Sequence, residues 1–187
     1  MAWNPDVISN ASHENIERAF HRAIRGHFLV DANDDCCIEP DAGDADPRAA
    51  EQKVLVITVS SFVFRLLLIF RMLEDAPTRD YYLAKASVQT LDEILAETTN
   101  MCSGEVSREL ALSFPHLAIS TPSPLDFRCI GLLHELKPQR LANYRVTIKG
   151  TVTLGATLCL CCSAPIEVAA AAVSTDLTQE QGEMELF

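Results

Sequence analysis

Asp92-Glu93-Ile94-Leu95-Ala96-Glu97-Thr98-Thr99-Asn100-Met101-Cys102-Ser103-Gly104 decides how this chain is read. It sits within a segment, Val88 to Leu112, where Leu91, Ile94, Leu95, Thr98, Cys102, Val106 and Leu110 recur at three- and four-residue spacing. That period predicts a long amphipathic helix with a single apolar stripe. At about 100° per residue, Glu93, Glu97, Asn100 and Gly104 fall together on the opposite face. A carboxylate, an amide and a residue without a side chain then point the same way, which makes a docking surface with Asn100 at its centre. Asn is a mediocre helix former, so something other than helix propensity must account for it there.

Working outward, the elements fall into a repeating order. Asn10–Phe28 reads as a first helix, with Ile16, Phe20, Ile24 and Phe28 on one stripe and Ser9, Asn10 or Ser12 as its cap. Asp31–Arg48 is acidic and aperiodic, a surface loop with a short strand near Cys36–Glu39. Val54–Val59 and Phe62–Phe70 read as a hairpin about Ser60-Ser61, and Ala76-Pro77 opens a helix to about Ala86. After the long helix, Leu117–Ser120 and Phe127–Leu133 read as strands, with Pro122 and Pro124 as breaks between them. Tyr144–Lys149 and Thr151–Cys162 read as a second hairpin about Lys149-Gly150, and Ala164-Pro165 as the opening of an Ala-rich helix to about Val173. Helix, hairpin, Ala-Pro, helix thus occurs twice. The expected fold is α+β, with two helix/β-hairpin halves forming a mixed sheet packed against helices.

Composition bounds the function. The 187 residues suit one domain, expected over 1–173, with the acidic stretch 174–187 as a loose tail. A net charge of −11 argues against nucleic acid and anionic membranes as partners. Apolar stretches at Val54–Phe64 and Thr151–Ile166 fall short of the roughly 18 residues of a spanning helix, so no membrane span is expected. The first residues lack a basic region followed by an apolar core, so no secretory signal is expected. The seven Cys, an odd number without a Cys-x-x-Cys pair, are expected to be reduced thiols in the cytoplasm.

The stretch from Asp92 to Gly104 resembles the signature helix of the CheC/CheX/FliY phosphatases, which act on the phosphorylated chemotaxis response regulator CheY. The family pattern places an acidic or Ser residue four before a Glu, then Glu-x-x-Asn, then a Pro some two dozen residues on. Glu93 fills the first place and Glu97 and Asn100 the core, and Met101 and Gly104 match a frequent Asn-Met-x-x-Gly. Pro122 and Pro124 each miss the usual Pro spacing by about one residue. Only one Glu-x-x-Asn occurs; the first helix carries Glu14-Asn15-Ile16-Glu17 instead, which is more similar to CheX than to two-site CheC members.

The resemblance implies a hydrolase that removes the aspartyl phosphate of a CheY-like receiver domain. Asn100 would orient the attacking water, Glu97 would meet the receiver's active-site Lys, Gly104 would give clearance, and Glu93 and Met101 would join the contact. It implies no cofactor or metal held by this chain, the Mg²⁺ belonging to the receiver substrate, and a homodimer paired through sheet edges. The alternative is a catalytically silent receiver-binding module. Other constellations are weaker. Asp31-Ala32-Asn33-Asp34-Asp35 imitates the start of a calcium loop, but Cys36 and Ala42 stand where Gly and Glu belong. Cys159-Leu160-Cys161-Cys162 has the wrong spacing for zinc, and strand alternation would turn Cys159 and Cys161 to one face as core residues.

Overall fold

The computed structural model describes residues 8–41, 48–84 and 88–170. Helix α1 spans Asn10–His27 and is followed by strand β1, Cys36–Pro40. After a 3₁₀ turn at Ala49–Glu51 come β2 (Lys53–Ser60), β3 (Phe64–Met72), α2 (Ala76–Leu83) and α3 (Leu91–Leu110). Two short strands, β4 (Ala118–Ile119) and β5 (Ser123–Leu125), lead into a 3₁₀ helix at Phe127–Leu136. The last elements are β6 (Arg140–Ile148) and β7 (Val152–Cys162).

One sheet runs in the order β1-β6-β7-β3-β2, and β4 and β5 both lie on the outer edge of β2. The two hairpins expected from sequence, β2–β3 and β6–β7, meet through β3 and β7, where Phe64 pairs with Cys162 and Met72 with Leu154. The α+β architecture with two helix/hairpin halves is thus present. The expected mixed sheet is corrected: among the described residues every strand pairing is antiparallel, within the two hairpins, where short loops require it, and between them as well. Among the described residues, the parallel pairing is the isolated bridge between Ile8 and Ile166.

The loops explain the register. Lys149 and Gly150 both adopt left-handed φ, +53° and +67°, which suits the twist of a tight hairpin. The first hairpin turns over Ser61-Phe62-Val63, one residue later than Ser60-Ser61. The Ser61 hydroxyl accepts the N–H groups of Val63 at 3.1 Å and Phe64 at 3.2 Å.

Strand alternation builds a core on each face. Phe64, Leu66, Leu68, Phe70 and Met72 of β3 point toward the helices, as do Leu154, Ala156, Leu158 and Leu160 of β7. There they meet Ile16, Phe20 and Ile24 of α1, its C-cap Phe28, and Leu91, Leu95, Cys102, Val106 and Leu110 of α3. The opposite face carries Val54, Ile69 and Cys159, covered by Leu133, Phe127 and Ile130 of the 3₁₀ helix. Cys159 is therefore a core residue, and Cys161 lies half-buried beside it.

Two expected elements are corrected. Phe127–Leu133 is 3₁₀ helix, not strand: Phe127, Ile130, Leu133 and Leu136 recur every third residue, the period of a 3₁₀ helix. Asp126 caps it by accepting the Arg128 N–H. Residues 164–170 are extended rather than helical, and 171–173 lie outside the described residues, as does the expected tail. The extended segment docks on the start of α1. Ile166 and Val168 alternate into the core, and the Val168 N–H donates to Ser12 Oγ at 2.9 Å. Asn15 Nδ2 donates to the Val168 carbonyl at 2.7 Å, and both Ser9 and Ser12 donate to Glu167 Oε2. These tertiary bonds override the helical preference of the alanines, and Glu167 sets a carboxylate at an N-terminus whose own first turn has none.

Candidate functional site

Helix α3 owes its start to Thr90. The Thr90 hydroxyl accepts the Glu93 N–H at 3.3 Å, and Glu93 Oε2 accepts the Thr90 N–H at 2.7 Å. This reciprocal cap stabilises the helix by about 1 kcal/mol or more. It also holds the Glu93 carboxyl below its ordinary pKa, since the charged form accepts from the Thr90 backbone and hydroxyl. Glu93, expected in the partner contact, thus has an internal task that accounts for it without a partner.

Leu91, Leu95, Thr99, Cys102, Ser103, Val106 and Leu110 are the buried residues of α3. Five residues of the expected stripe are among them; Thr99 and Ser103 are fully buried as well, while the expected Ile94 and Thr98 sit at the margin. Two carboxylates tie the helix to the antiparallel α1. Arg22 makes a bidentate pair with Glu109 at 2.9 and 2.5 Å, and His27 Nε2 lies 2.6 Å from Glu105 Oε2.

The opposite face is open. Glu93, Glu97, Asn100 and Met101 are exposed and Gly104 half-exposed, so all five expected contact residues lie on the solvent side of the helix. Gln89 Nε2 donates to Glu97 Oε2 at 3.3 Å, which steadies the carboxylate from beyond the cap. Among the described residues, nothing hydrogen-bonds the Asn100 amide, so its donor and acceptor both face outward. Met101, 48% exposed, adds an apolar, adaptable edge.

Gly104 has no internal steric duty. A Cβ placed there meets Arg108 Nη1 at 3.8 Å, an ordinary contact. Gly104→Ala should therefore raise stability in chemical denaturation by about 0.5–1 kcal/mol, because Gly in a helix interior is the worse former. A destabilised variant would show that the glycine serves the fold after all.

The equivalent place on α1 is closed. Glu17 is held by Arg140, with Nε at 2.6 Å and Nη2 at 2.5 Å. His21 stands edge-on to Tyr144 with ring centroids 4.5 Å apart. Burial, then the charge of Arg140, lowers the His13 pKa; burial, then Arg25, lowers that of His21. Both Nε2 atoms are buried without a hydrogen-bond partner among the described residues. A lowered histidine pKa means the folded state prefers the neutral ring. Stability from this source is complete above the ordinary value near 6.5 and is lost as pH falls through the lowered values. The urea midpoint should fall between pH 7 and about pH 5.5, and the double variant His13→Gln/His21→Gln should flatten that fall. An unaltered slope in the double variant would assign the pH dependence to other groups.

The other motifs are absorbed into the fold. Asp34 is paired with the Tyr81 hydroxyl at 2.8 Å and Lys149 at 3.0 Å, which holds its carboxyl below the usual range. Among the described residues, no three His, Cys, Asp or Glu side chains converge to hold a metal ion. No helix among them is long and apolar enough to cross a membrane.

Sequence reasoning missed Gln89 and Arg108. Gln89 lies outside the helix and Arg108 beyond the signature, although the four-residue step from Asn100 to Gly104 to Arg108 is legible in the sequence.

No protein-family model matches the sequence, and no curated protein does. Solved structures match the fold. The chemotaxis protein CheX of Vibrio vulnificus aligns with a TM-score of 0.55 and 12% identity, covering 78% of this chain and 98% of that one. CheX of Borrelia burgdorferi, solved as a complex with CheY, BeF₃ and Mg²⁺, gives 0.53 and 10%, covering 80% and 97%. A CheC-like superfamily protein of a Shewanella species gives 0.51 and 11%, covering 81% and 98%. The chain therefore has the CheX/CheC-like fold.

Proposed function

We propose that this chain docks a CheY-like receiver domain through the solvent face of α3 and hydrolyses its aspartyl phosphate. The observation that carries the reading is the exposed pair Glu97 and Asn100, one turn apart, with the Asn100 amide left without an internal partner among the described residues. The CheX of similar fold that was solved with CheY and BeF₃ supports a receiver as the partner.

The chemistry needs little from this chain. Phosphoryl transfer is chiefly positioning and electrostatics, and the receiver brings its own Mg²⁺ and Lys. What is missing is a water held in line with the leaving carboxylate. A side-chain amide supplies both a donor and an acceptor for that water. Glu97, on the same face and steadied by Gln89, pairs with the receiver's Lys and sets the approach. Attack by the water breaks the P–O bond to the Asp carboxylate and releases inorganic phosphate.

The test is the phosphoryl lifetime of receiver domains charged with acetyl phosphate. A substoichiometric amount of the chain should shorten the lifetime over several turnovers. A lifetime unchanged or prolonged by bound chain would make it a silent binding module.

A further inference from the structure

Arg108 is the one cation of α3, and it stands on the face that carries Glu97 and Asn100. At 100° per residue, Glu97, Gly104 and Arg108 lie within an arc of about 80° from Asn100. The two acidic residues nearest to Arg108 in sequence are turned away, Glu105 to His27 and Glu109 to Arg22. Among the described residues, no hydrogen bond or ion pair engages the Arg108 guanidinium.

Its side chain runs back toward the helix N-terminus, as helical side chains do. Nη1 lies 3.8 Å from the point where a Cβ on Gly104 would stand. The guanidinium thus sits at the level of Gly104, about 6 Å along the axis from Asn100, with Glu97 about 4.5 Å to the other side. An anion and a cation bracket the amide on one open face.

Resting on the reading of α3 as a receiver-docking face, we infer that Arg108 determines specificity by contacting a carboxylate on the rim of the phosphoaspartyl pocket. The partner chemistry follows from charge. A pocket that holds Mg²⁺ beside a phosphoryl group is built from carboxylates, so its rim is acidic. On the rest of the α3 face Glu93 and Glu97 are exposed carboxylates, Asp92 is paired with Lys53, and the chain carries a net charge of −11. Arg108 is the group on this face that turns repulsion into attraction there. With Glu97 at the other end, the helix can dock in one direction only: cation of the partner against Glu97, carboxylate against Arg108.

The bland role for Arg108 is a cation in the last turn that complements the helix dipole. That role affects stability and leaves substrate affinity alone. The experiment measures KM and kcat for phosphate release from a panel of CheY-type receivers charged with acetyl phosphate, at low and high salt. Arg108→Glu should raise KM about ten-fold or more, leave kcat within about two-fold, and flatten the salt dependence of KM. Arg108→Lys should stay within about three-fold of the parent. If Arg108→Glu keeps the parental KM while Asn100→Ala is inactive, the inference falls and the reading of the face stands. A lowered denaturation midpoint with unchanged KM also overturns it, in favour of the dipole role. If the parent chain accelerates release from no receiver, the reading falls and Arg108 with it.

Discussion

Asn100→Ala is expected to lower the turnover of phosphorylated receiver by on the order of 10²-fold while leaving the chain slightly more stable. The two effects have separate causes. Without the amide, the attacking water is no longer held in line, and loss of a positioning group has that scale of effect on rate. The exposed Asn100 makes no internal hydrogen bond among the described residues, so its removal leaves no buried group unsatisfied. Ala is the better helix former, by up to about 0.7 kcal/mol. Stopped assays of phosphate release, set beside chemical denaturation, check both halves. Full activity in the variant would remove Asn100 from the mechanism. A stability loss of several kcal/mol would mean that the rate effect reports misfolding.

Phe70→Ala is expected to cost about 3–5 kcal/mol, a large part of the 5–15 kcal/mol that holds a domain of this kind together. Phe70 is fully buried on β3, the strand that joins the two hairpins. Its ring contacts Phe20 of α1 and the C-cap Phe28, with centroids at 5.7 and 4.7 Å. Truncation leaves a void between sheet and helix that neighbours on β2 and β7 cannot close without breaking register. Phe70→Leu, which retains most of the volume, should cost far less. Urea denaturation checks the pair; a loss below about 1 kcal/mol for the alanine variant would show that the site collapses around the void.

Both predictions bear on how much was legible in the sequence. The helices α1 and α3 and both hairpins could be read because their apolar residues keep strict periods of 3.6 or 2 over long stretches. Phe127–Leu133 reads as a strand from sequence because a period of three over a few residues resembles alternation. The extended course of 164–170 could not be read locally at all. It depends on hydroxyls and an amide of α1, some 150 residues away in sequence. At the site, Glu97 and Asn100 were legible because a helical period turns them outward. Thr90 and Glu93 spell a capping pattern, so the internal task of Glu93 is legible in the sequence beside its place on the docking face. Arg108 escaped because its position depends on where Glu105 and Glu109 point, a property of the packing between α1 and α3.

On the edge of β2 two fragments, β4 and β5, stand in place of one strand, with Thr121-Pro122 between them and Pro124 inside the second. A new strand adds to an edge by zippering, each pair of peptide groups aligning the next. Here the zipper would stall after two residues, meet a kink, and then meet an imide without a hydrogen to offer. The β2 side of the sheet is thereby a poor template for another chain.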